Sequence, residues 1–193
     1  SWKRISEVLD EEPVINDDRA TDVTIKKGSI RFEHVYFKYK DTAKEYVLSD
    51  ISFQIEPGQT IGIIGQTGAA KSTLVQLIPR LYEATSGSIY IDDHPIYEYT
   101  QEHLRDSIAM VLQKNTLFSG TVRENLYWGK ENATNEELDR AVRISCVDEF
   151  LDRLEHGYET ELGQGGVNVS GGQKQRLCIA RAILKEPKVL ILD

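Results

Sequence analysis

The spacing of apolar residues changes period several times along the chain, and each change predicts an element. Residues 30–39 and 47–55 alternate apolar and polar side chains like antiparallel strands, and Glu56-Pro57-Gly58 closes the second run with a turn. Residues 87–91 form another short strand of this kind. The run 61–64 is apolar and leads into a glycine-rich loop, and 189–192 holds four apolar residues in succession, the pattern of a strand covered on both faces. Helical spacing appears in three places: Leu74, Leu77, Ile78 and Leu81; Leu138, Ala141, Val142 and Ser145; and Leu177, Ala180, Ile183 and Leu184. Pro79 falls inside the first stripe and is expected to kink that helix, because the stripe reaches Leu81. The second helix opens on the capping box Thr134-x-x-Glu137, a further helix spans about 148–155 before Gly157, and Glu186-Pro187 stops the last one. Trp2, Ile5 and Leu9 share one face of an N-terminal helix, and residues 16–28 form a polar linker.

Composition narrows the class. A chain of 193 residues with 40% hydrophobic content fits one domain with a small appended subdomain. Its net charge of −8 argues against a nucleic-acid surface. Cys146 and Cys178 lie in separate helical segments without CxxC spacing, so reduced core or half-buried thiols are expected, and the four histidines, His34, His94, His103 and His156, have no ligand spacing. No apolar run approaches the ~18 residues of a membrane span and no signal peptide is visible.

The chemistry concentrates in a few segments. Gly65-Gln66-Thr67-Gly68-Ala69-Ala70-Lys71-Ser72-Thr73 sits between a predicted strand and a predicted helix, the context in which backbone N–H groups surround phosphates. There Lys71 supplies a point charge to the β- and γ-phosphates of ATP and Ser72 a hydroxyl to Mg²⁺. The pattern asks for Gly before the lysine. Ala70 stands in its place, putting a methyl toward the phosphate space and removing a permissive backbone, so a perturbed ATP site is expected. Asp193 ends the 189–192 strand, where a carboxylate can hold Mg²⁺ through water. Val169-Ser170-Gly171-Gly172-Gln173-Lys174-Gln175-Arg176 opens the last helix, and its glycines leave N–H groups uncovered beside the Ser170 hydroxyl, a second anion site.

In this order the segments resemble the nucleotide-binding domain of an ABC transporter, of the bacterial exporter type, and the resemblance runs from Trp2 to Asp193. It implies an α/β P-loop NTPase (ABC ATPase) core with a mainly parallel sheet, an antiparallel β subdomain near the N-terminus, and a helical subdomain at about 114–170. Residues 1–28 resemble the connecting helix and linker from the membrane domain, with 4–13 like the tail after the last membrane helix, and 29–193 the nucleotide-binding domain. By the same resemblance, Tyr39 in Phe37-Lys38-Tyr39 is the aromatic that stacks on adenine, a contact contributing ~1–3 kcal/mol in nucleic-acid systems. Gln113, after the apolar run 108–112, touches Mg²⁺ and the attacking water. Ser170, Gly171, Gly172 and Gln173 meet the γ-phosphate of ATP held by the opposing protomer. Thr160-Glu161-Leu162-Gly163-Gln164-Gly165-Gly166 resembles the exporter loop that meets the transmembrane partner, with Gln164 in place of the usual acid.

The family's catalytic carboxylate and switch histidine come after the residue matched by Asp193, so the chain looks C-terminally incomplete and is expected to be inactive as an isolated piece. The resemblance implies an ATPase at the cytoplasmic face of the cell membrane. Its partners would be a transmembrane domain and a second nucleotide-binding domain, in a hetero- or homodimer, with Ala70 and the exporter-like ends favouring the heteromer. Two other readings stay open: a soluble ABC ATPase acting on DNA or ribosomes, and a nucleotide-binding regulatory domain with a degenerate site.

Overall fold

The computed structural model describes residues 2–10 and 14–193. They divide into two compact units, Ser1–Leu104 and Arg105–Asp193.

The first unit opens with α1 (Trp2–Leu9), where Trp2, Ile5 and Leu9 form an exposed apolar face. Glu11, Glu12 and Pro13, the last residues of the 4–13 segment expected to resemble an exporter tail, lie outside the described residues. Next come β1 (Ile30–Phe37) and β2 (Leu48–Ile55), then α2 (Lys71–Gln76), β3 (Ser86–Ile91), β4 (His94–Pro95) and α3 (Gln101–Ser107), which runs past the division. Strands β2, β1, β3 and β4 form one antiparallel sheet in that order. Alternation accounts for β1: Ile30, Phe32, Val35 and Phe37 are buried, and Phe32 stacks on its cross-strand partner Phe53 at 4.5 Å. The alternation slips at Glu33-His34, and the register shifts there against both neighbours. His34 has φ 47°, and a Cβ on Gly87 would lie 2.2 Å from the His34 carbonyl oxygen. Only glycine fits at 87, so this bulge and that residue go together.

The polar segment 14–28 is strapped to this unit rather than free. Thr21 N–H donates to the Glu98 carbonyl (2.7 Å), Ile25 N–H to His103 Nε2 (2.8 Å), and the Lys26 and Lys27 N–H groups to one Asp92 carboxylate oxygen (2.7 and 2.8 Å). Burial pushes the Asp92 carboxyl up, but hydrogen bonds from Lys27, Lys26 and Ser29 outweigh it and hold the group below its ordinary value.

Two expectations in this unit are corrected. The apolar run 61–64 pairs with no strand among the described residues, and Ile61, Ile63 and Ile64 are exposed. An apolar run states strand propensity but cannot name a neighbour to supply ladder hydrogen bonds. Helix α2 ends at Gln76 instead of continuing to Leu81 through a kink. Pro79 has no N–H to give the Val75 carbonyl, which accepts from Ile78 instead, and Leu77 N–H donates to Leu74. The helix thus tightens into a turn, with Arg80 at φ 54°.

The second unit contains β5 (Ile108–Val111), β6 (Gly120–Thr121), α4 (Val122–Tyr127), α5 (Asn135–Ile144), α6 (Asp148–Leu151), β7 (Glu161–Leu162), α7 (Gly171–Leu184) and β8 (Val189–Leu192). Its helices share one apolar core that includes Leu126, Leu138, Val142, Phe150, Leu177 and Leu184. Each such leucine, fully buried, contributes about 1.5–3 kcal/mol. The capping box of α5 forms as expected, Thr134 and Glu137 each accepting the other's N–H. Helix α6 is shorter than the expected 148–155, and a 3₁₀ turn, Gly157–Glu159, follows.

Strands β5 and β8 pair in parallel, Ile108 opposite Val189 and Val111 opposite Leu192. The expected cover on both faces of β8 is not found: Ile191 is buried on one face, whereas Leu190 and Leu192, two residues apart and so on the other face, are exposed. Among the described residues no helix is long and apolar enough to cross a membrane.

Candidate functional site

In the first unit, the glycine-rich loop turns into α2 through two left-handed residues, Gly68 (φ 85°) and Ala70 (φ 59°, ψ 25°). Lys71, the first residue of α2, folds back over the loop, and its ammonium donates to the carbonyls of Gly65 (2.9 Å) and Gln66 (3.0 Å). Ala69 N–H closes the loop onto Gln66 (3.1 Å). No side chain caps α2, so its first N–H groups are not claimed by a local side-chain acceptor. Gln66, Thr67, Ala69 and Ser72 are exposed, while Thr73 is buried. The result is a cation and a set of N–H groups at a helix start, with open space where a Gly68 Cβ would be. Of the two costs expected of Ala70, the one in the backbone is seen directly, since the residue sits in the left-handed region. A non-glycine residue held in the left-handed region is disfavoured by about 1–2 kcal/mol.

Tyr39 belongs to the same unit. Its hydroxyl lies 2.8 Å from the Thr73 hydroxyl oxygen, and its ring meets Phe37 (4.9 Å) and Tyr82 (5.2 Å) edge to face. The ring is still 54% exposed, leaving surface for a planar ligand.

In the second unit, Ser170 caps α7. Gln173 N–H donates to Ser170 Oγ (3.2 Å), and Ser170 N–H donates to Gln173 Oε1 (2.8 Å). Gly171 and Gly172 face open space. A concavity of about 440 Å³ lies beside this helix start, lined by Glu149, Phe150, Arg153, Ser170, Gly172, Gln173 and Arg176. Arg176 donates to the Cys146 carbonyl (2.9 Å) and pairs with Glu149. The preceding loop is held by Asn168, which donates to the Glu161 carbonyl (2.7 Å) and accepts from Gly163 N–H (3.1 Å). Gln164 sits in the 3₁₀ turn Gln164–Gly166.

Gln113 and Asp193 leave the C-terminal ends of the paired strands β5 and β8, where open α/β sheets present their ligands. Both are exposed, and Asp193 N–H continues the ladder to the Val111 carbonyl (2.9 Å).

Sequence reasoning missed a network below the loop that follows Gln113. Buried Asn125 exchanges hydrogen bonds with the Phe118 backbone in both directions (2.9 Å each), and Arg181 donates to the Asn125 carbonyl (2.9 Å) and side-chain oxygen (3.1 Å). Burial pulls the Arg181 guanidinium below its ordinary value. The available signal was Asn125 itself, a polar residue between Val122 and Leu126 on a buried helical face.

Comparison with known proteins follows the same outline. A family model described as ABC transporter matches residues 48–193. The chain is 47% identical to an uncharacterized ABC transporter ATP-binding protein, YfiB, of Bacillus subtilis (strain 168), over 100% of this chain and 33% of that protein. It is 44% identical to a provisionally named multidrug export ATP-binding/permease protein of Staphylococcus aureus (strain NCTC 8325 / PS 47), over 98% of this chain and 33% of that protein. A solved structure of a bacterial Atm1-family ABC exporter with ATP bound superimposes with a TM-score of 0.91 at 33% identity, again over 100% of this chain and 33% of that one. The chain thus spans about a third of the length of the relatives it matches.

Proposed function

As the chain belongs to the ABC transporter family and has its α/β P-loop ATPase fold, we propose that it is the ATP-binding and ATP-hydrolysing domain of an exporter, placed at the cytoplasmic face of the cell membrane. The observation that carries this reading is Lys71, whose ammonium lies against the Gly65 and Gln66 carbonyls of a loop built from left-handed turns. A triphosphate offers that cation stronger acceptors than two neutral carbonyls. The names of the relatives support an exporter over a soluble ATPase acting on DNA or ribosomes.

Each residue takes a role of its own. Tyr39 stacks on the adenine. Gly65, Gln66, Thr67, Gly68, Ala69, Ala70 and Thr73 supply the phosphate loop, and Lys71 neutralises charge on the β- and γ-phosphates during transfer. Gln113 orients the attacking water. Ser170, Gly171, Gly172 and Gln173 receive the γ-phosphate of ATP held by a second nucleotide-binding domain. Ser72 offers a hydroxyl oxygen in the first unit, and Gln113 and Asp193 offer amide and carboxylate oxygens in the second; each is a hard donor of the kind Mg²⁺ takes, and the ion would supply charge neutralisation at the phosphates when bound. Binding of two ATP molecules closes the domains head to tail, hydrolysis reopens them, and the attached transmembrane domain changes its access.

The left-handed Ala70 favours one second reading, a domain that holds nucleotide with little turnover beside a more active, heteromeric partner. Measuring MgATP binding and phosphate release in the intact protein separates the two. Lys71→Ala is expected to abolish both. Binding without turnover in the unaltered protein would select the second reading, and binding unaffected by Lys71→Ala would overturn both.

A further inference from the structure

Tyr39 is held at two points by one stretch of chain. Its hydroxyl meets Thr73 in the first turn of α2, and its ring meets Tyr82, just beyond the turn that ends the helix. The path between these contacts is fixed. Pro79 stops the helix, Arg80 reverses the chain at φ 54°, and the buried Arg80 guanidinium bonds Glu83 through Nε (2.9 Å), so Tyr82 lies between two anchored residues. The Tyr82 ring stands 86° to that of Tyr39 at 5.2 Å and 54° to that of Phe37 at 5.7 Å. Yet Tyr82 is 39% exposed, which is unlike a core residue serving only to fill space. Two side chains alone would leave the Tyr39 ring free to turn about its own axis or swing off the hydroxyl bond. The edge of a third ring against it removes that freedom.

Resting on the nucleotide reading above, we infer that Tyr82 is a positioning residue of the nucleotide site: it sets the orientation of the Tyr39 ring, and so gives the site its preference for a base-bearing triphosphate over bare polyphosphate. Base stacking responds to ring orientation, whereas the contacts of Lys71 and the loop N–H groups with phosphate do not pass through Tyr82.

The test is equilibrium binding to the intact protein of two probes, MgATP and magnesium tripolyphosphate, in the unaltered form and in Tyr82→Ala, Tyr82→Leu and Tyr82→Phe. Loss of one aromatic pair corresponds to about 3- to 10-fold. Tyr82→Ala and Tyr82→Leu are expected to weaken MgATP by that factor with tripolyphosphate unchanged, and Tyr82→Phe, which keeps the ring edge, to restore MgATP binding. Tyr82→Leu keeps bulk in the cluster, so the inference stays testable if Tyr82→Ala does not fold. Parallel losses for both probes would make Tyr82 merely structural and overturn the inference, as would unchanged affinities. Failure of the unaltered protein to bind MgATP would instead overturn the nucleotide reading itself.

Discussion

Ser170 and Gln173 cap each other: Gln173 N–H donates to the serine hydroxyl at 3.2 Å, and Ser170 N–H donates to the glutamine side-chain oxygen at 2.8 Å. The pair fixes the start of α7 while Gly171 and Gly172 remain uncovered, so the arrangement that stabilises the helix also leaves N–H groups open to the phosphate proposed to bind there. Ser170→Ala is expected to lower stability by about 1 kcal/mol, read from the urea midpoint. It should also weaken ATP-dependent association of the two domains. Ser170→Asp keeps a cap acceptor but adds charge against the incoming phosphate, so it should retain stability and still lose association. A Ser170→Asp protein that associates normally would detach the cap from the phosphate role.

Ala70 makes a sign prediction. Ala70→Gly removes the left-handed penalty of about 1–2 kcal/mol, partly offset by the greater freedom glycine gives the unfolded chain, about 0.4–1 kcal/mol. A net gain of about 0.5–1 kcal/mol in stability is expected, together with tighter MgATP binding by titration calorimetry. Loss of stability would mean that Ala70 is not held at φ 59°.

Tyr99 predicts an alkaline limb. Burial, and then the charges of Asp92, Glu98 and Asp93, push its phenol from 10.0 up to about 12, and its hydroxyl donates to the Ile91 carbonyl at 2.7 Å. A folded value above the unfolded one stabilises fully below pH 10.0 and is lost as pH rises through about 12. Denaturant midpoints measured from pH 9 to 12 should fall more steeply for the unaltered protein than for Tyr99→Phe. Parallel curves would remove the assignment.

What was legible in the sequence was local. The Thr134 and Glu137 box needs two residues three apart, and it formed as read. The bulge in β1 was present as a slip in alternation at Glu33-His34, though its glycine partner at 87 is distant in the chain. The run 61–64 misled because pairing depends on a neighbour that propensity cannot specify. Pro79 misled because the apolar stripe continued through it: Leu77 and Ile78 are buried from a turn as readily as from a helix. The helix starts that carry Lys71, Ser170 and Gln173 were readable from motif spacing. Thr73 as the partner of Tyr39, Tyr82 beside it, and the Asn125–Arg181 network were not, since each joins residues whose meeting is decided by tertiary packing.

In the mechanism proposed, this domain works by holding ATP against the helix start of a second domain. That mechanism is tested most directly by disulfide cross-linking in the intact protein, with Cys146 and Cys178 replaced by serine, Ser170→Cys in this domain, and a cysteine in the phosphate loop of the partner domain. Efficient cross-linking with MgATP under conditions that block hydrolysis, and little without nucleotide, is the predicted result. Cross-linking at the same rate with and without MgATP would contradict it.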